Sequence, residues 1–167
     1  VASTGSVQTN GGTITISGSG SSSFTHYVNT NDGDIILEGD GTTSFSNDPG
    51  LGSGEIIVIG EGTLLFDEDG SGSNSTRFNV LLDGGTFNTA GQDRLIETLT
   101  LSAESRINMG TTSDSVMDIN AFERIDDFNP YDGDSLIFID NFAEAGSDQI
   151  LFNNGSGIDS GNAEQYF

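Results

Sequence analysis

The chain has 167 residues and a formal net charge of −22, with 26 acidic side chains against four arginines and no lysine. This charge opposes contact with phosphate backbones, which excludes nucleic acid as a partner, and no apolar run is long enough for membrane insertion. The absence of cysteine excludes disulfides and thiolate metal sites.

Short runs of Ile, Leu, Val and Phe, separated by turn-forming residues, predict many short strands. A unit of two such runs with a Gly-Thr pair at the corner recurs along the chain. The pairs are Gly12-Thr13, Gly41-Thr42, Gly62-Thr63 and Gly85-Thr86, and the last three are separated by 21 and 23 residues. In the unit at 99–108, we place Glu104-Ser105 at the Gly-Thr position.

A unit of about 20 residues is too short to bury an apolar side alone, so neighbouring units must stack. We therefore predict an all-β fold, a parallel β-helix or β-solenoid of about six or seven coils. Ile35, Ile57, Leu81 and Leu99 are expected in or near one core. The alternative is a β-sandwich or jelly roll, but the continuous apolar run at 56–59 is more typical of a buried parallel strand.

Segments rich in Gly, Ser, Asn and Asp predict the connections between strands. Loops are expected at 17–23, 46–54 and 67–75, because turn-forming residues cluster there. Asn31-Asp32-Gly33-Asp34 predicts a turn of type I′ or a similar type.

The C-terminal third has a different pattern. Apolar residues spaced by three in 115–128 fit a helix and a triangular coil equally, and two further strands are predicted in 135–142 and 148–154. The expected organisation is one solenoid domain, 1–167, with repeat coils in 1–110 and irregular coils in 111–167.

Five motifs of the C-terminal half occur in a recognisable order: LDGGTFNT (82–89), LTLSAESRINMG (99–110), DSLIFIDNF (134–142), DQILFNN (148–154) and NAEQYF (162–167). Together they resemble the C-terminal part of autotransporter-type β-strand repeat proteins, which are exported bacterial surface proteins that often carry a PEP-CTERM sorting tail. Phe142 stands where that family usually has Trp. The resemblance implies a right-handed parallel β-helix displayed outside the cell, with no catalytic or cofactor residues to transfer.

The strongest metal candidate is an acidic turn. Asp67, Asp69 and Ser71 place oxygen ligands at alternate positions, like the start of an EF-hand calcium loop. The closing Glu is missing, because the twelfth position is Phe78. The sequence thus leaves two interpretations of this segment, a Ca²⁺ site and a solvated acidic turn.

No arrangement of residues predicts an enzyme. Carboxylates are so abundant that a catalytic pair cannot be singled out, and His26 is the only histidine. The four arginines stand in a strongly acidic chain, which would repel acidic polysaccharides. We therefore expect no catalytic activity, and a polysaccharide-active enzyme is the third-ranked hypothesis.

The function favoured by the sequence is structural: a secreted fibre or surface-matrix subunit outside the cell that associates with copies of itself. The N-terminal strand, with Val7 and Thr9, is expected to pair head to tail with the edge near Tyr166 and Phe167 of another copy. The alternative is an adhesive or carbohydrate-binding module, whose partner would be a cell-surface polysaccharide.

Overall fold

A computed structural model describes residues 2–3, 5–67, 77–111, 115–124, 137–142 and 148–153. These residues form 16 short β-strands joined by turns and bends, without any helix among them. Within this described part, no helical segment is therefore present that could cross a bilayer.

The strands build two long sheets and one short one. Sheet I contains, in spatial order, β1 (Ala2–Ser3), β4 (Ser21–Phe24), β7 (Thr42–Phe45), β9 (Thr63–Phe66), β11 (Thr86–Asn88), β13 (Ser105–Asn108) and β15 (Ile137–Asp140). Sheet II contains β3 (Ile14–Ser17), β6 (Ile35–Glu38), β8 (Glu55–Ile59), β10 (Phe78–Asp83), β12 (Arg94–Leu101), β14 (Val116–Arg124) and β16 (Gln149–Phe152). Sheet III is the pair β2 (Val7–Gln8) and β5 (Val28–Asn29).

The architecture is a β-solenoid. All pairings between these strands are parallel, and each strand pairs with the equivalent strand of the next coil. The only antiparallel contact in the described residues is an isolated bridge between Ile59 and Gly84. The predicted parallel stacking is confirmed, the sandwich alternative is wrong, and seven strands in each long sheet agree closely with the predicted coil number.

The Gly-Thr spacing gives the register of sheet I. Thr42 pairs with Thr63, and Thr63 pairs with Thr86, as the separations of 21 and 23 residues predict. The predicted alignment of the next unit was wrong: Arg106 pairs with Thr86, so Ser105-Arg106 rather than Glu104-Ser105 occupies the Gly-Thr position.

Gly12-Thr13 belongs to a different corner from the other Gly-Thr pairs. A Cβ added at Gly33 would lie 2.5 Å from the carbonyl oxygen of Gly12, so these two glycines stack on one another. That corner precedes sheet II, whereas Gly41-Thr42 begins a strand of sheet I. A Gly-Thr dipeptide alone does not distinguish the two corners.

The core lies between the inner faces of the sheets. Ile35, Ile56, Val80 and Leu99 form one buried column, and each is fully buried. The predicted core residues Ile57 and Leu81 are instead half-buried on the outer face of sheet II. A shift of one residue along a strand moves a side chain to the other face, and an apolar run gives no signal for the phase.

Three other local predictions are resolved. Ser21–Ser23 is part of a strand rather than a loop, because its backbone pairs with Thr42–Ser44 of β7. Residues 116–124 form strand β14 and not a helix. Asn31 and Asp32 both have positive φ, 50° and 78°, as a type I′ turn requires.

Candidate functional site: the open end coil

The first coil, formed by β1, β2 and β3, has an open edge. Each of these strands pairs on one side only, with β4, β5 and β6 respectively. In the part of the chain that the structure describes, no strand lies on the opposite side. The free backbone edge of such a strand is a template for pairing with another strand. We call the described part of residues 2–20, which contains β1, β2 and β3, the end coil.

The apolar core is also open at the end coil. Val7, Ile14 and Ile16 are only half-buried, although they stand in the same columns as core residues of the next coil. Those neighbours, Val28, Ile35 and Leu37, are 1%, 0% and 3% exposed. The difference in burial arises from position and not from residue type, because Ile14 and Ile35 are identical side chains.

Packing under the end coil is loose. One inner column of sheet I runs through Ser22, Thr43, Leu64 and Phe87, so side-chain volume increases away from the end coil. A cavity of about 120 Å³ lies where this column is smallest, beside Ser22 and Thr43. It reflects small side chains in a core position, and its lining of Gly, Ser, Thr and aliphatic residues contains one titratable residue, Glu38.

The backbone at Gly20 is accessible from the open side. A Cβ added at Gly41 would point to the preceding coil and lie 2.4 Å from the carbonyl oxygen of Gly20. Gly20 has the equivalent position one coil earlier, and a Cβ added there meets no atom within 4 Å. The end coil thus presents a glycine surface on which a further coil fits at the same close distance.

Charge is distributed in a way that sequence reasoning missed. The first acidic residue is Asp32, and residues 1–31 contain no Asp, Glu, Lys or Arg. The negative charge therefore belongs to the later coils, while the end coil is uncharged. The absence of charge before position 32 is visible in the sequence, but the structure is needed to place those residues together in the first two described coils.

Of the four residues predicted to mediate self-association, the structure describes two, Val7 and Thr9. Val7 lies in β2, and the Thr9 backbone N–H donates to the carbonyl of Asn29 at 2.9 Å, so both belong to the end coil. The Thr9 hydroxyl donates to the carbonyl of Gly12. Tyr166 and Phe167 lie outside the described residues, so their pairing with this coil stays a prediction.

Of the three residues in the predicted Ca²⁺ site, the structure describes one, Asp67. The Asp67 carboxylate accepts a hydrogen bond of 3.0 Å from the Ser46 hydroxyl of the preceding coil. Asp69 and Ser71 lie outside the described residues. Elsewhere in the described ranges, no group of three or more His, Asp or Glu side chains is placed to hold a metal ion.

The arginines whose side chains are described contact residues of their own solenoid. Arg77 forms a 2.8 Å ion pair with Asp118, and Arg106 forms a 3.2 Å pair with Asp140. Arg94 is 2% exposed, with its guanidinium carbon 4.8 Å from the centre of a buried aromatic ring. These contacts give the three arginines structural roles.

The pKa of one carboxyl group near the buried Arg94 is shifted. Burial raises the pKa of Asp48 above its usual value, and the positive charge of Arg94 opposes this rise. His26, the remaining candidate for acid–base chemistry, is exposed, and its Nδ1 lies 3.1 Å from the Thr25 hydroxyl.

Comparison of the chain with protein-family models, with curated proteins and with solved structures gave no match. The resemblance to autotransporter-type repeat proteins therefore stays a prediction from the motifs. The end coil is the candidate site that the geometry itself supplies.

Proposed function

We propose that this protein is an extracellular structural subunit that stacks end to end through its end coil into thin filaments of a fibre or surface matrix. The observation that carries this proposal is the half-exposure of Val7, Ile14 and Ile16 in columns that are otherwise fully buried. A coil of a second copy placed on this end would bury these side chains and supply hydrogen-bonding partners for the free strand edges.

At the opposite end of the described residues, the inward-facing Ile139, Ile150 and Phe152 are only partly buried against the core, and in a filament a stacked subunit would cover them. A contact between two different ends is heterologous, so it repeats along one axis and does not close as a dimer. The product would be a filament in which the solenoid continues from one subunit to the next.

Electrostatics favours stacking along the axis over bundling of the sides. The end coil carries no Asp, Glu, Lys or Arg, so its approach to another subunit does not place like charges in close contact. The later coils carry the acidic residues, and side-by-side packing would bring these walls together. High salt screens the long-range repulsion between whole subunits and should promote filament growth.

The experiment uses Gly20→Ala. Because a Cβ at this position meets nothing within 4 Å, the monomer should keep its stability to within about 0.5 kcal/mol. In a filament, the same methyl group would collide with the backbone of the stacked coil, as it would inside the solenoid at Gly41. We expect wild-type filaments in negative stain and sedimentation, and strongly reduced assembly of the variant.

The control is Ser19→Ala, an exposed position at the same corner, which should assemble like the wild type. Two results would overturn the proposal: filaments of unchanged yield from Gly20→Ala, or a wild-type chain that stays monomeric at high concentration and high salt. The second result would mean that something other than a copy of this chain covers the end coil, or that nothing does.

A further inference from the structure

The outer face of sheet II carries three aliphatic side chains in register. Ile36, Ile57 and Leu81 lie on successive strands β6, β8 and β10, and each is half-buried. Their neighbours along each strand point inward and are fully buried, so these three point away from the core. Ile59, two residues beyond Ile57 on the same face, is 37% exposed. We call Ile36, Ile57, Leu81 and Ile59 the aliphatic stripe.

Acidic side chains flank the aliphatic stripe on both sides. Asp34 and Glu55 lie two residues before Ile36 and Ile57, and Glu38 and Asp83 lie two residues after Ile36 and Leu81. Alternate residues of a strand share one face, so all four carboxylates lie on the face of the stripe. The face therefore has an apolar centre and two negative margins.

These margins are not neutralised by the arginines that the structure describes. Arg77 lies at the border of the same face, but its guanidinium is bonded to Asp118 at 2.8 Å. Arg106 lies on sheet I and pairs with Asp140. Burial raises the pKa of Glu55, and the carboxylates of Asp34, on the same margin, and of Glu123 raise it further.

We propose that this face binds an amphipathic helix of a partner protein whose apolar side is bordered by Lys or Arg. Three coils span about 10 Å along the solenoid axis, and a helix lying along that axis presents an apolar residue about every 5.4 Å. The apolar positions of two helical turns thus match the three coils. Basic residues on either side of the helix reach the two acidic margins, and this complementary charge accelerates and orients binding.

The charge of the face argues against a second copy of this chain as the occupant. Two such faces would bring acidic margin against acidic margin, which costs energy unless cations intervene. The partner helix approaches the outer face of sheet II, whereas end-to-end stacking would use the strand edges and open core of the end coil. This inference therefore does not depend on end-to-end stacking.

The test uses the whole chain and a synthetic amphipathic peptide of about 14 residues built from Leu and Lys, with a scrambled peptide of identical composition as reference. Binding is measured by fluorescence anisotropy, and helix formation by circular dichroism. We expect the amphipathic peptide to bind at least about tenfold more tightly than the scrambled one, and to become helical. Ile57→Thr should abolish this preference.

A matched control variant distinguishes binding at this face from a general effect of the substitution or of the protein's net charge. Leu65→Thr changes an equally half-buried aliphatic residue on the outer face of sheet I, and it should keep the preference. Equal binding of both peptides, or equal effects of the two variants, would overturn the proposal. So would a lateral dimer of the protein that Ile57→Thr dissolves, because the face would then belong to a second copy.

Discussion

Individual carboxylates of this solenoid are stabilised by hydroxyl or amide groups one coil away. In-register stacking brings equivalent residues to about 4.8 Å, so a column of Asp or Glu would repel itself strongly. At several positions the chain instead places Ser or Asn beside the acid. Ser102 donates to Asp83 at 2.8 Å, and Asn120 donates to Glu97 at 2.9 Å. Further pairs of this kind in the described residues are Ser17–Glu38, Ser53–Asp32, Ser46–Asp67, Ser115–Asp148 and Asn153–Asp118.

Asp34 and Glu55 break this rule, because two carboxylates follow one another in the same column. Asp34 accepts the backbone N–H of Glu55 at 3.1 Å, which holds the two residues close. Burial, Asp34 and Glu123 all raise the pKa of Glu55. A pKa that is higher in the folded state means that folding favours the protonated form, so this group stabilises the fold at low pH and loses that contribution as the pH rises through the folded pKa.

Glu55→Gln should therefore stabilise the protein at pH 7 and have a smaller effect near pH 5, so that the free energy of unfolding depends less on pH. Urea unfolding at the two pH values measures this dependence. Glu61→Gln, at an exposed corner, is the control with the same loss of charge. An identical pH dependence in Glu55→Gln and the wild type would show that Glu55 does not experience the crowding described.

At the scale of the strand and its corner, glycine determines how closely coils approach. The corner that leads into sheet I stacks Gly20, Gly41 and Gly62 in successive coils. A Cβ at Gly41 would lie 2.4 Å from the carbonyl oxygen of Gly20 and 2.8 Å from that of Gly18. Both contacts are with backbone, which cannot move aside without breaking the strand pairing next to it.

We expect Gly41→Ala to lower the free energy of unfolding by about 2 kcal/mol, because overpacking against fixed atoms forces the coils apart. Gly20→Ala, in the same column but at the open end, should change it by less than about 0.5 kcal/mol. Urea unfolding of the two variants at low protein concentration provides the measurement. Equal losses in both variants would contradict the stacking assigned to this corner.

At the scale of the whole molecule, the repeat was the predictable part. The Gly-Thr spacing predicted parallel stacking and the pairing of Thr42, Thr63 and Thr86, because one repeat corresponds to one coil. The sequence did not show which of Ile56 and Ile57 faces the core, since apolar residues occupy both faces of sheet II there. Ser21 lies in a strand because neighbouring coils pair with it, and its local sequence contains no strand signal.

The candidate site was predictable only in outline. A strand-like N-terminal segment pointed to Val7 and Thr9, and both lie in the end coil. The glycine surface at Gly20 and the opening of the core columns depend on which coils are neighbours in space, so the sequence alone does not reveal them. The aliphatic stripe was not predicted, because apolar residues occupy both faces of these strands and the sequence does not show which of them point outward.

X-ray diffraction from aligned filaments tests end-to-end stacking most directly. If the solenoid continues from one subunit to the next through the end coil, the strands lie across the filament, and their spacing of about 4.8 Å gives a reflection along the filament axis. If subunits associate through their sides, the same reflection lies perpendicular to the filament axis. A reflection on the axis is the predicted result, and one perpendicular to it would contradict the proposed assembly.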